Sequence, residues 1–366
     1  MKATVSAKKL NEKLKFIKEI YKMKKLDDIY RNMLLKFHNG YLNITAINPM
    51  CCVITSVETL SHDSTFEVLM DASSFISIID RYSVDLEFEF YGNGDLFIRH
   101  DSGCVNTKWF AASMFPAIYE QSGEILSYKC SDFIPFLKKS FMFTVYDEFT
   151  ISTSMIYISI DDKYINVMST DRFSIYAHRE ENTEGVKSSD ISINEVTASI
   201  LYGMASKSNG DVRISSDKNG RITFLSFDDT VIYNVNPEHR TPDFGRVIDS
   251  YVPSTRMVVR KKIIMDSIAR SIMDDVLSTV HIGNDKSGIE TGDMSKGISF
   301  KEYFGRESME GESVSFDIKL KKMKDAVSCI EGDRVMIEVS MPNKFLRVSD
   351  PENTDKEFIL LSTYKN

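Results

Sequence analysis

The side chains best suited to ligate a metal or attack a substrate are scattered along this chain. Six histidines (His38, His62, His100, His178, His239 and His281) show no metal-ligand spacing. Five cysteines (Cys51, Cys52, Cys104, Cys130 and Cys329) are odd in number and lack the CxxC spacing of a zinc site. Adjacent Cys51 and Cys52 suit the two faces of a strand, and the set reads as buried, reduced thiols of a cytosolic protein. No GxxxxGKS/T phosphate loop, strand–GxGxxG–helix unit, GxSxG elbow or HExxH helix occurs. Asp161 and Asp162 could hold a metal, but they fall at an expected turn, where Asp is favoured for local hydrogen bonding. The reading is no catalytic residue, no metal and no cofactor.

Lysine is the residue type whose spacing carries a signal. The chain is acidic, with a net charge of −8, yet residues 1–31 hold nine Lys and Arg31 against four acids, a local +6 that leaves −14 elsewhere. Leu10, Leu14, Ile17 and Tyr21 recur at helical spacing, and Lys8, Asn11, Lys15, Lys18, Lys22 and Lys25 gather on a neighbouring arc. Leu320, Met323, Val327 and Ile330 form a second stripe, with Lys321, Lys322 and Lys324 standing off it. Other expected helices add Lys138 and Lys139, then Arg260, Lys261, Lys262 and Arg270, while two more offer only Arg81 and Lys207. One lysine-rich helix face is ordinary solvated surface. Several in an acidic chain specify an electropositive surface. Without interleaved aromatics, such lysines suit phosphate contact that carries no base information, so the expected partner is duplex DNA bound nonspecifically.

The helices need a scaffold, and 366 residues with 42% hydrophobic content can supply two or three domains. No apolar run is long enough to span a bilayer, and the polar, Lys-rich N-terminus lacks a signal-peptide core, so no membrane association or export is expected. The same order of elements recurs three times: strand, amphipathic helix, hairpin, strand, short helix, closing strands. One hairpin turns at Asn39-Gly40 between Met33–Phe37 and Tyr41–Ala46, and its counterpart joins Met155–Ile160 to Tyr164–Ser169. Later turns recur at Gly92-Asn93-Gly94, Lys218-Asn219-Gly220 and Pro342-Asn343-Lys344. The spacing places boundaries near 123 and 250, giving repeats 1–123, 124–250 and 251–366 with no flexible linker. In the third repeat Asp285 to Lys296 reads as a loop.

Several motifs resemble the β sliding clamp, the beta subunit of bacterial DNA polymerase III. They are the opening Met1-Lys2-Ala3-Thr4-Val5 with its following helix, Phe115-Pro116, Ser169-Thr170-Asp171-Arg172-Phe173-Ser174-Ile175, and Thr241-Pro242-Asp243-Phe244-Gly245-Arg246-Val247-Ile248. The resemblance covers the whole chain. It implies an α+β fold of three tandem clamp domains, with antiparallel sheets outside and helices lining a ring closed by two copies. It further implies a cytoplasmic, non-catalytic processivity factor that encircles duplex DNA and serves a replicative polymerase, a clamp loader and other replication and repair proteins. The matching partner-peptide positions are Thr153, Thr170, Arg172, Phe173, Ile175, Pro242, Arg246, Val247, Leu320, Phe345, Ile359, Leu360 and Leu361. Facing DNA would be Lys15, Lys18, Lys22, Lys138, Lys139, Lys207, Arg270, Lys321, Lys322 and Lys324. Val105 and Thr107 match the first-domain edge that meets the partner copy near Met273. Ser174, where the family usually has Arg, and the ending Leu361-Ser362-Thr363-Tyr364-Lys365-Asn366 depart from the pattern, as in a divergent or phage- or plasmid-encoded member. Two alternatives remain: a DNA-processing hydrolase or nuclease with a basic cleft, and a clamp-like decoy that sequesters replication proteins.

Overall fold

The structure, a computed structural model, describes residues 1–22, 27–145, 150–183, 185–217, 221–235, 241–273, 276–293, 296–340 and 345–364, and only the backbone at positions 22, 122, 124 and 151. The expected turns at 218–220 and 342–344, and Lys25, lie outside the described residues. Alternating segments form antiparallel strands, and the apolar stripes form helices, as their periods require. Among the described residues seven α-helices occur: α1 (Ala7–Ile17), α2 (Ala72–Ile79), α3 (Cys130–Phe141), α4 (Glu195–Ala205), α5 (Phe244–Asp249), α6 (Lys261–Ser271) and α7 (Leu320–Cys329). All but α5 follow a strand at once or after one residue. The first helices of the repeats (α1, α3, α6) and the second ones (α2, α4, α7) each advance in steps of about 125 residues.

Both lysine-bearing stripes bury their apolar members: Leu10, Leu14 and Ile17 on α1, and Leu320, Met323 and Val327 on α7. Each such side chain taken from water contributes about 2 kcal/mol relative to exposure. Asn11 departs from the expected polar arc. Its Nδ2 donates to the carbonyls of Ile79 and Tyr82, both at 3.0 Å, and so satisfies the C-terminal end of α2.

The Asn39-Gly40 turn has positive φ at both residues, 50° and 81°, and sets the register Met33↔Ala46 through His38↔Tyr41. In the second hairpin Ile156 opposes Ser169 and Ile160 opposes Ile165. Asp161 Oδ1 accepts the amides of Lys163 and Tyr164 at 2.8 Å, the turn chemistry expected of it. One segment corrects the sequence reading. Ser287–Asp293 is a strand, paired with Ser278–Ile282 and Ile298–Phe304, where a loop was expected. Gly288 permits it, because a Cβ there would lie 2.6 Å from the Glu302 carbonyl oxygen of the neighbouring strand.

The chain forms two compact units, Met1–Leu137 with Ile191–Pro237, and Lys138–Asp190 with Glu238–Asn366. They divide the middle sequence repeat, because strands pair across the expected boundaries. In the first unit the 12-residue strand Cys51–His62 pairs Thr230–Val235 at one end and Lys2–Ser6 at the other. In the second, Ser174–Glu181 pairs Glu357–Ser362. The core of the second unit packs α6 and α7 with residues such as Met257, Val280, Phe316, Ile337 and Val348. Cys51, Cys52, Cys130 and Cys329 are buried free thiols as expected. Cys104 is exposed, because its strand, Gly103–Lys108, is the outermost of its sheet.

Candidate functional site

The second unit carries an apolar pocket of about 240 Å³ built from three separated stretches of chain. One wall is the tight turn between strands Tyr164–Thr170 and Ser174–Glu181. Asp171 organises it: Oδ1 accepts the amides of Phe173 (3.0 Å) and Ser174 (2.7 Å) and the Ser174 hydroxyl (2.5 Å). Thr170 Oγ1 donates to the Ser174 carbonyl at 2.7 Å. The turn holds Arg172 at φ 78°, a left-handed conformation uncommon outside glycine, and leaves Phe173 57% exposed on the rim. Asp171 Oδ2 receives the ammonium of Lys322 from α7. Burial acts to raise the pKa of this carboxyl, but Lys322 and Ser174 hold it below the usual carboxylate value.

The opposite wall is α5. Asp243 caps it by accepting the Arg246 amide at 3.0 Å, while Phe244 is buried edge-on against Tyr157 with ring centroids 5.7 Å apart. Ile175, Val247 and Leu360 pack together as a neighbouring apolar cluster. The Ser362 amide donates to the Phe173 carbonyl at 2.7 Å, joining the last strand to the turn.

Eight sequence-matched positions line this pocket: Thr170, Arg172, Phe173, Ile175, Pro242, Val247, Phe345 and Leu360. Five do not. Thr153 is buried and closes a local turn by donating to the carbonyls of Thr150 and Val145. Leu320, Ile359 and Leu361 belong to the hydrophobic core, and Arg246 is exposed on α5 outside the lining. The lining also includes Ser174, Asp243, Phe244 and Ser362, which were not assigned to it from sequence. The Asp243 contribution was detectable, since Asp followed by an apolar residue and a short helix is an N-cap signature.

The helix cations separate into two groups. Lys15, Lys18, Lys138, Lys207, Lys321 and Lys324 are exposed, and the side chain of Lys22 lies outside the described residues. Lys139 corrects the sequence reading. It is 16% exposed and bonded to Glu357 at 2.9 Å and Glu331 at 3.0 Å, so it faces carboxylates and not solvent. Glu357 also accepts the Tyr176 hydroxyl at 2.6 Å. Against the upward push of burial, His178, Tyr176 and Lys139 hold its pKa at about 2. Arg270 pairs with Glu302 at 3.2 Å while staying half exposed, and Lys322 serves Asp171.

Val105 and Thr107 are half-buried on the strand Gly103–Lys108, which ends its sheet. Met273 is half-buried just beyond α6. In the same unit Ile298–Phe304 ends the four-stranded sheet, with Ile298 and Phe300 exposed.

One arrangement bears on hydrolysis: Ser315 Oγ lies 2.7 Å from His281 Nδ1, and His281 Nε2 lies 3.7 Å from Glu290. These are cross-strand neighbours on a partly exposed sheet surface, and Glu290 is committed to Lys301. No group of His, Cys, Asp or Glu poised for a metal occurs among the described residues.

No protein-family profile matches the chain, and no curated protein matches it. Solved structures do. The DNA polymerase sliding clamp from Bacillus subtilis superposes with TM-score 0.89 at 13% identity, over 100% of this chain and 99% of that one. The DNA polymerase III beta subunit from Thermotoga maritima gives 0.87 at 16%, with the same coverage. The corresponding Pseudomonas aeruginosa subunit gives 0.89 at 12%, over all of both chains. At these identities the likeness is one of fold: the chain has the α+β fold of the sliding clamps.

Proposed function

We propose that this chain is a sliding clamp, a non-catalytic processivity factor that encircles duplex DNA and tethers a replicative polymerase through the pocket. The observation that carries the reading is convergence. Residues 170–175, 242–247 and 345–362 of a full-length clamp fold meet around one apolar pocket with an exposed aromatic on its rim. A pocket of this size takes two or three apolar anchors of a short peptide, the recognition mode by which one site serves polymerase, clamp loader and other replication and repair proteins in turn.

The regular strand–helix junctions support three tandem domains, 1–123, 124–250 and 251–366. Three such domains are too few to enclose a duplex, so two copies close the ring. Open strand edges support that closure: Gly103–Lys108, with Val105 and Thr107, on one copy, and Ile298–Phe304 near Met273 on the other. The exposed Lys15, Lys18, Lys138, Lys207, Lys321 and Lys324 suit transient phosphate contact in the hole. The setting is the cytoplasm, around the nucleoid.

Primer extension on a circular template, with polymerase and clamp loader, tests the reading. Product length per binding event should rise many-fold when the protein is present. Inhibition without loading onto the circle would identify a decoy, and magnesium-dependent cleavage of the template would identify a nuclease. Either result overturns the proposal.

A further inference from the structure

We propose that Lys322 is a positioning residue shared by the pocket and the basic face of α7, so that duplex phosphate and partner peptide bind in energetic opposition. The inference rests on the pocket reading above and concerns its regulation. The Asp171 carboxylate is 5% exposed, and its two oxygens are divided between two tasks. Oδ1 holds the turn through the Phe173 and Ser174 amides, and Oδ2 holds Lys322. The turn carries backbone strain at Arg172, so it needs such an outside hold. It also places Phe173, whose carbonyl anchors Ser362 on the far side of the rim.

Lys322 is a third exposed, one residue from Lys321 and two from Lys324, both open to solvent. One ammonium cannot serve a buried carboxylate and a DNA phosphate at full strength. A phosphate that draws Nζ outward leaves Asp171 with its charge uncompensated, and the turn loosens. By linkage, a peptide that needs the ordered turn keeps Lys322 on Asp171 and removes one cation from the DNA face. A clamp so built holds its partner less tightly where α7 presses on the duplex.

The test is amide hydrogen exchange at Phe173 and Ser174 in the full chain, with and without a short DNA duplex. In Lys322→Met both amides should exchange roughly tenfold faster, as for loss of a charged hydrogen bond. Lys322→Arg should restore protection. Lys324→Met, which removes a charge from the same helix without touching Asp171, should leave protection intact. Duplex should speed exchange severalfold in the wild type and do nothing further in Lys322→Met. Unchanged exchange in Lys322→Met, or equal change in Lys324→Met, overturns the positioning role. No effect of duplex on the wild type at low salt, where fluorescence anisotropy shows the duplex bound, overturns the opposition, as does a duplex that does not bind at all. A short fluorescein-labelled peptide ending in two leucines and a phenylalanine, apolar anchors of the kind such a lining takes, separates this from the pocket reading. If it protects no residue of 172–175 the pocket assignment fails, while the exchange of Lys322→Met still decides the role of Lys322.

Discussion

Phe173 keeps more than half of its surface in water although its backbone is tied on both sides, to Asp171 and to Ser362. A rigidly presented aromatic suits an anchor contact, because little entropy is lost when a partner covers it. Phe173→Ala should therefore weaken polymerase binding at least tenfold, about 1.4 kcal/mol, in surface plasmon resonance. Its thermal midpoint should stay near that of the wild type, since exposed side chains contribute within about 0.5 kcal/mol. Glu357 is the opposite case, a buried carboxylate that holds the fold. Its folded pKa of about 2 lies below the ordinary 4.5, so the stability it contributes is present above about pH 4.5 and is lost as pH falls towards 2. Wild type should exceed Glu357→Gln by about 3 kcal/mol in urea unfolding at pH 7, with the gap closing between pH 4.5 and 2. An unchanged gap at pH 3 would exclude this ion network as its source. Single residues also mark the limit of what sequence can tell. Ser174 reads as a missing arginine, yet it donates to Asp171 and shapes the wall. Lys139 and Lys138 are indistinguishable as letters, and only packing turns one inward to Glu357.

At the scale of elements, legibility followed local chemistry. Hairpins at Asn39-Gly40 and Asp161 were readable because turn residues dictate their own backbone, and α1 and α7 because their stripes repeat at 3.6 residues. Ser287–Asp293 was misread because Gly288 and Gly292 look like loop residues, whereas Gly288 serves a close approach between strands. Of the matched partner positions, eight lie on the pocket lining, some on the turn and rim and others, such as Ile175 and Leu360, on strands. Leu320, Ile359 and Leu361 lie in the core, where an apolar letter serves either role. The last strand, Glu357–Ser362, follows the same lesson. It lies between Ser174–Glu181 and Phe345–Ser349, buries Leu360 and Leu361, and continues into a backbone pair between Tyr364 and Asp317. Deletion of residues 360–366 should therefore disrupt the second unit instead of removing only the proposed partner site. Far-UV circular dichroism and limited proteolysis should show lost strand content and new cleavage in residues 138–190. A truncated chain with native spectra and abolished polymerase binding would show the tail to be a partner contact that the fold does not need.

For the whole molecule, the proposed clamp raises a physical question: what would keep an acidic protein on a polyanion. A net charge of −8 opposes association, and among the described residues Lys139, Arg270 and Lys322, all expected at DNA, are engaged with carboxylates. The exposed lysines that remain can neutralise few phosphates, so direct affinity should be weak and should fall steeply with salt through counterion release. On the proposed reading, tight retention would then come from topology. A ring of two copies leaves a circle only by opening an interface, a step that does not involve the phosphates and need not share their salt dependence. Protein loaded onto nicked circular DNA should therefore stay bound through gel filtration at raised salt, and linearising the circle should release it within the time of sliding off an end. Light scattering should find a species near twice 41.8 kDa under the same conditions. Equal loss from circles and linear DNA at one salt concentration would mean that the lysines form an ordinary basic binding surface, and the proposed ring would fall with that result.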